Sequence, residues 1–137
     1  MKALEVYIDG ASKGNPGPGG VGVVICRGGE VLKNISEYIG EVTNNVAEYT
    51  ALIYALQECL IMKADTVIVN TDSELLCRQM NGLYKIKSPN ILGLYNQALH
   101  LISGFKKVDI KHIPRTQNSG ADKLATQCVK ARLKNVL

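Results

Sequence analysis

Tryptophan is absent from this 137-residue chain, and other aromatic residues are few, with six tyrosines and one phenylalanine. No apolar run reaches the roughly 18 residues that a membrane-spanning helix needs, so no membrane partner is expected. The N-terminus lacks the apolar core of a signal peptide. Cys-x-x-Cys pairs are also missing, which disfavours zinc sites and disulfide frameworks. Buried thiols in a reducing cytoplasm are expected instead; the four cysteines are Cys26, Cys59, Cys77 and Cys128.

Composition and charge describe a folded chain with an uneven charge distribution. Hydrophobic residues make up 46% and charged residues 20%, which predicts a single folded domain over residues 1–137 and excludes a disordered chain. Residues 1–104 hold 8 basic and 10 acidic side chains, whereas residues 105–137 hold 8 basic and 2 acidic ones. The basic last quarter suits either a polyanion partner or a solvated helix surface.

Hydrophobic periodicity predicts an α/β fold with the element order βββαβααβα. Strands are expected at 3–9, 21–27, 30–39, 66–71 and 107–113, and helices at 45–62, 73–81, 90–103 and 120–134. A loop rich in glycine and proline is expected over 10–20, a Gly28-Gly29 hairpin turn after the second strand, and a cap at Asn45 for the first helix. Three antiparallel meander strands and two parallel crossover strands then form one mixed five-stranded sheet with helices on both faces.

This topology brings four acidic residues to one end of the sheet. Asp9 and Asp72 end parallel strands, while Glu48 and Asp122 lie in the first turns of helices that begin at that end. Each has a local alternative as a turn or helix-capping residue. Together, however, carboxylates without a histidine or cysteine favour a hard divalent cation, Mg²⁺ or Mn²⁺. Two such ions can clamp a phosphodiester, so the acids beside a basic tail predict nucleic-acid hydrolysis.

Four sequence blocks resemble type 1 ribonuclease H, in particular its compact archaeal and bacterial members without the basic protrusion. The blocks are YIDGASKGNPGPGGVGVVI (7–25), TNNVAEYTALIYAL (43–56), VNTDSELLCRQM (69–80) and HIPRTQNSGADKLA (112–125). The resemblance implies a ribonuclease H-like fold and a monomeric endonuclease. Its partner would be an RNA–DNA hybrid, whose RNA strand it cuts with two Mg²⁺ ions, or with Mn²⁺, to leave 5′-phosphate and 3′-hydroxyl ends.

The resemblance also implies roles for individual residues. The family's catalytic and metal-binding acids match Asp9, Glu48, Asp72 and Asp122, with Asp9 bridging both ions. Many members carry a histidine in the loop before the last acid; here Arg115 is the nearest candidate, for phosphate contact or product release. The expected substrate contacts are Gly10, Ala11, Asn15, Asn44 and Asn45 for the minor groove, Glu74 where many members have glutamine, Thr43 and Asn90 for a DNA-strand phosphate, and Lys85 and Lys87 in place of the protrusion. Thr43 and Asn90 have helix capping as an alternative role.

Three other functions fit parts of the sequence. The glycines 17, 19 and 22 match a dinucleotide-binding fingerprint, but they run into a strand and not into the helix that a pyrophosphate site needs. A non-catalytic hybrid-binding module would be favoured by loss of one catalytic acid, and all four are present. A junction resolvase or transposase core would share the fold and the metals but not the blocks GNPGPGG and NNVAE.

Overall fold

The computed structural model describes residues 2–136 and confirms the predicted order of elements. The strands are β1 (Ala3–Ser12), β2 (Gly17–Arg27), β3 (Glu30–Val42), β4 (Thr66–Thr71) and β5 (Lys107–His112). The helices are α1 (Asn44–Ile61), α2 (Glu74–Met80), α3 (Pro89–Ile102) and α4 (Ser119–Val136), with a 3₁₀ turn at Arg115–Gln117 before α4. In residues 2–136, no helix combines the length and the apolar character needed to cross a membrane.

The five strands form one mixed sheet in the order β3-β2-β1-β4-β5. β2 is antiparallel to both β1 and β3, whereas β1, β4 and β5 run parallel, as predicted. Gly28 and Gly29 form the β2–β3 hairpin turn with positive φ angles of 57° and 83°, a conformation that glycine adopts without steric cost. The carboxyl ends of β1 and β4 therefore meet at one edge of the sheet.

The loop in the glycine-rich segment is shorter than the sequence predicts. Antiparallel pairing between β1 and β2 continues to Ser12 and Gly19, so only residues 13–16 lie outside the strands. The prediction of a loop over 10–20 was wrong because glycine tolerates extended backbone as well as turns, and pairing with the neighbouring strand decides between them. β3 is also longer than expected and ends at Val42.

Helices cover both faces of the sheet. α1 packs against the face that carries the buried residues Val6, Ile8 and Val23, and α3 packs on α1. α4 crosses the opposite face above β1, β2 and β3. There Gly22 permits close approach, since a Cβ atom at this position would lie 2.0 Å from the Ala121 carbonyl oxygen. The last acid, Asp122, therefore lies close against the sheet.

Two local predictions were wrong. The residue that caps α1 is Thr43, whose hydroxyl accepts a hydrogen bond from the Val46 amide at 3.3 Å, so Asn45 lies within the helix. All four cysteines are free thiols, but only Cys59 and Cys77 are buried, while Cys26 and Cys128 are half-buried. Sequence spacing alone does not separate adjacent cap candidates such as Thr43 and Asn45, because both residue types cap helices well.

Candidate active site

Three of the predicted acids form a close cluster at the carboxyl edge of the sheet. Asp9 in β1, Glu48 in the second turn of α1 and Asp72 directly after β4 each offer a carboxylate oxygen, and these oxygens all lie within 4.8 Å of one another. We call these three residues the acidic cluster. Parallel β1 and β4 bring Asp9 and Asp72 together, and α1 adds Glu48 from above β1.

Close packing at Gly10 holds Glu48 beside Asp9. A Cβ atom at Gly10 would lie 2.2 Å from the Ala47 carbonyl carbon and 2.3 Å from the Glu48 amide nitrogen. Only glycine therefore lets the backbone of α1 approach β1 so closely. Gly10 was predicted as a substrate contact; it lines the groove beside the acidic cluster and also sets the distance between these two acids.

The electrostatics of the acidic cluster disfavour full ionisation without a cation. Burial, together with the charges of Asp72 and Asp122, raises the pKa of Asp9 from 3.8 to about 8. Burial and the charges of Asp9 and Asp72 raise the pKa of Glu48 from 4.5 to about 9. Like charges in a desolvated site repel, so near pH 7 these two acids hold protons that they would release in water.

Asp122 and Arg115 lie at the margin of the acidic cluster. The neighbouring carboxyl group of Asp122 contributes to the raised pKa of Asp9. The exposed Arg115 side chain, on the 3₁₀ turn, lowers the pKa of both Asp9 and Glu48 through its positive charge. Asp122 thus influences Asp9 without belonging to the group of three.

The residues present fit a divalent cation. Glu48 Oε2 is buried and has no hydrogen-bond partner, so it is available as a ligand. The donor set consists of carboxylate oxygens only, which suits a hard cation such as Mg²⁺ or Mn²⁺.

The acidic cluster opens into a groove of about 750 Å³. Seven further residues of the predicted site line this groove: Gly10, Ala11, Asn15, Asn44, Asn45, Arg115 and Asp122. Both histidines of the chain, His100 and His112, are exposed and lie outside the groove. Arg115, in contrast, is a cationic side chain that does line the groove.

Hydrogen bonds orient two asparagines in the wall of the groove. Asn15 Oδ1 accepts from the Asn44 backbone amide at 3.0 Å, and Asn44 Oδ1 accepts from the Ser12 backbone amide at 3.1 Å. Ser12 Oγ in turn donates to the Val42 carbonyl at 2.8 Å. With both side-chain oxygens engaged, Asn15 and Asn44 offer mainly N–H donors to a ligand.

Five predicted substrate contacts do not line the groove: Thr43, Glu74, Lys85, Lys87 and Asn90. Glu74 pairs with Arg78 at 3.2 Å on an exposed helix surface, which partly compensates the charge that distinguishes it from glutamine. Lys85 and Lys87 are exposed in the connection between α2 and α3. Asn90 lies in the first turn of α3 after the N-cap Ser88, so its alternative role as a cap was wrong.

Sequence reasoning missed several residues that line the groove: Ser12, Lys13, Ser73, Leu75, Thr126, Val129 and Lys130. Three of them, Thr126, Val129 and Lys130, follow Asp122 by four, seven and eight residues. These spacings place them on the same helix face as Asp122. Helical periodicity counted from the last acid was therefore the signal that could have found them.

Comparison with known proteins identifies the family. A family model described as reverse transcriptase-like matches residues 7–128. The bifunctional protein Rv2228c of Mycobacterium tuberculosis is 42% identical over 96% of this chain, which spans only 36% of that relative's length. The crystal structure of RNase H1 from Halobacterium salinarum NRC-1 superimposes with a TM-score of 0.92 at 36% identity, covering 94% of this chain and 98% of the other. LC11-RNase H1, solved in complex with RNA/DNA hybrid, gives a TM-score of 0.90 at 42% identity, covering 95% and 99%. The chain therefore belongs to the type 1 ribonuclease H family.

Proposed function

We propose that this protein is a metal-dependent endonuclease that hydrolyses the RNA strand of RNA–DNA hybrids and leaves 5′-phosphate and 3′-hydroxyl ends. The observation that carries the proposal is the acidic cluster, whose three carboxylate oxygens meet within 4.8 Å in an open groove. Family membership supports the reaction class, and the hybrid bound to the related LC11-RNase H1 supports the substrate. The unit proposed to act is a single ribonuclease H domain.

Two Mg²⁺ ions are the proposed cofactor, with Mn²⁺ as the alternative. Asp9 interacts electrostatically with each of the other three acids, Glu48, Asp72 and Asp122, and this suits a carboxylate that bridges two ions. Glu48, Asp72 and Asp122 would complete the ligand set. Divalent ions held there would supply positive charge to the scissile phosphate and acidify the attacking water.

The protein's own side chains would position the substrate around that centre. Arg115 extends from the 3₁₀ turn at the groove and carries a permanent charge, which suits contact with a phosphate near the cut and excludes a role as a base. Lys13 and Lys130 are exposed cations that line the same groove and suit further phosphate contacts.

The oriented asparagines suit recognition of the hybrid's minor groove. The 2′-hydroxyl that distinguishes RNA from DNA lies in the wide, shallow groove of an A-like helix. Asn15 and Asn44 present N–H donors, and the minor groove presents acceptor atoms on every base pair as well as the 2′-oxygen. Gly10, Ala11 and Asn45 would form the rest of that surface. Contacts by Thr43, Glu74, Lys85, Lys87 and Asn90 outside the groove stay predictions.

The test is a cleavage assay on the purified chain with end-labelled RNA–DNA hybrid, DNA duplex and RNA duplex, each with and without Mg²⁺. The expected result is internal cutting of the RNA strand in the hybrid only, with Mg²⁺ only. Asp72→Asn should bind the hybrid at close to the parent affinity and cut it roughly 10²-fold more slowly or worse, as expected for loss of a group that acts in the transition state.

The same assay, with branched DNA added as a fourth substrate, separates the two alternatives left open by the sequence. Binding of the hybrid without cutting by the parent protein would favour a non-catalytic binding module. Cutting of branched DNA in preference to hybrid would favour a junction resolvase. Equal cleavage rates for Asp72→Asn and the parent would contradict the role given to Asp72.

We also propose that the protein is a monomer located in the cytoplasm. All four cysteines are free, and free thiols persist in a reducing compartment. Sedimentation analysis tests the oligomeric state, and a sedimenting species of twice the 14.9 kDa chain mass would contradict it.

A further inference from the structure

We infer that Asn118 is a positioning residue that fixes the orientation of the Asp72 carboxylate for metal binding. This inference rests on the proposed function and adds a residue to it. Asn118 lies four positions before Asp122, just after the 3₁₀ turn, and only 1% of its surface is exposed. Its side chain reaches across the sheet edge to β1 and to the end of β4.

One amide nitrogen of Asn118 makes two bonds at the base of the acidic cluster. Nδ2 donates to Asp72 Oδ2 at 3.0 Å and to the Ile8 carbonyl oxygen at 2.8 Å. The Ile8 carbonyl belongs to the peptide bond that leads to Asp9. The Asn118 backbone carbonyl also accepts from the Asp122 amide at 3.1 Å. Asn118 thus contacts all three elements that carry the aspartates.

The bond to Asp72 restricts rotation of that carboxylate. In residues 2–136, no other side chain donates a hydrogen bond to Asp72, so Asn118 alone fixes the rotation about the Cβ–Cγ bond. Partners that orient metal ligands in this way typically affect metal affinity by about tenfold or more. Without the bond, Asp72 would have to lose rotational freedom each time a cation binds.

The hydrogen bonding of Asn118 argues for a role beyond stability. Its Oδ1 atom is buried and has no partner, which is unfavourable for folding. Turning the amide over would place that oxygen against two other acceptors, so the donor direction is determined by Asp72 and Ile8. The side chain therefore leaves one acceptor unsatisfied while directing both N–H groups at the edge of the acidic cluster.

Asn70 provides a matched control. It is also buried, at 4% exposure, and its Nδ2 donates to a β1 carbonyl, that of Val6, at 3.3 Å and to a carboxylate, that of Glu5, at 3.0 Å. Glu5 is not part of the acidic cluster. Asn70→Ala thus removes the same kind of buried amide without touching Asp72.

The experiment is a calorimetric titration of the metal-free protein with Mn²⁺ alone, combined with hybrid cleavage kinetics. Asn118→Ala should raise the Mn²⁺ dissociation constant roughly tenfold. It should also lower kcat at limiting Mn²⁺, with recovery at higher Mn²⁺ and an unchanged KM for the hybrid. Asn70→Ala should lower the melting temperature but leave the Mn²⁺ affinity within about twofold of the parent. In an Asp72→Asn background, Asn118→Ala should cause no further loss of Mn²⁺ affinity, since the effect acts through Asp72.

Two further measurements keep the inference testable if Asn118→Ala does not fold. Asn118→Ser retains one donor and more of the polar contact, and it should show an intermediate Mn²⁺ affinity. In the parent protein, Mg²⁺ should shift the side-chain amide NMR signals of Asn118 and leave those of Asn70 in place. Parent-like Mn²⁺ affinity in a folded Asn118 variant, or unmoved Asn118 signals, would overturn the inference while leaving hybrid cleavage by the parent intact. A parent that neither binds Mn²⁺ nor cuts hybrid would instead overturn the proposed function.

Discussion

Replacing Asp9 with asparagine is expected to stabilise the metal-free protein, and the gain should grow as the pH rises. Asp9 is 6% exposed, and its pKa rises from 3.8 to about 8 in the folded state. Between those two values the folded protein holds a proton that the unfolded chain has released. Unfolding therefore releases a proton, so this carboxyl group lowers stability progressively as the pH increases.

The size of this effect follows from the width of that pH window. Each pH unit above 3.8 lowers the free energy of unfolding by about 1.4 kcal/mol until the pH reaches the pKa of the folded state. At pH 7 the total loss is roughly 4 kcal/mol. The neutral amide of the Asp9→Asn variant carries no such penalty. For a chain of this size, a gain of that order raises the melting temperature by roughly 14 °C.

Urea unfolding in EDTA at several pH values between 4 and 8 measures the prediction. The free energy of unfolding of Asp9→Asn minus that of the parent should be smallest at pH 4 and increase towards pH 8. Glu37→Gln, which removes an exposed carboxylate on β3, is the control and should show no such increase. A difference that is flat with pH, or a less stable Asp9→Asn at pH 7, would refute the account of a buried, mutually repelling acidic cluster.

Three other substitutions test separate parts of the site. Gly10→Ala should destabilise the protein by about 1–3 kcal/mol or prevent folding, since the new methyl group would overlap α1; Gly93→Ala on α3, where nothing lies within 4 Å, should be neutral or stabilising in the same thermal melt. Lys130→Glu should weaken hybrid binding, and the slope of the logarithm of the binding constant against the logarithm of the salt concentration should become shallower by about one, as measured by fluorescence anisotropy. Lys63→Glu, outside the groove, should change neither the affinity nor the slope. Arg115→Ala should lower kcat for hybrid cleavage while leaving Mn²⁺ affinity nearly unchanged, and equal losses of both would contradict a phosphate-contact role.

The order of elements and the meeting of the acids could be predicted because the first depends on the short-range apolar pattern and the second on the direction of the strands. Apolar periodicity separates strands from helices. Once β1 and β4 are parallel, Asp9 and Asp72 at their ends must lie at the same edge of the sheet. β3 runs in the same direction as β1, so α1 begins at that edge, and the right-handed crossover sets the face on which α1 brings Glu48 beside them.

Contacts between residues that are distant in the chain could not be predicted from the sequence pattern. The choice of Thr43 over Asn45 as the cap, and the extension of β1 to Ser12, depend on which neighbouring backbone groups need partners. The raised pKa values of Asp9 and Glu48 depend first on burial, which no spacing of acids reveals.

Local pattern and strand direction specify which residue types meet at the sheet edge, and packing between distant elements specifies how they are held there. Asn118 reaches the Ile8 carbonyl 110 residues earlier in the chain because α4 lies close against β2, where Gly22 leaves room. Hydrogen bonds tolerate errors of only a few tenths of an ångström, whereas sequence periodicity places residues to within a helical turn. Orientation of side chains in the site therefore follows from packing between distant elements, while the presence of an acidic edge follows from local pattern and strand direction.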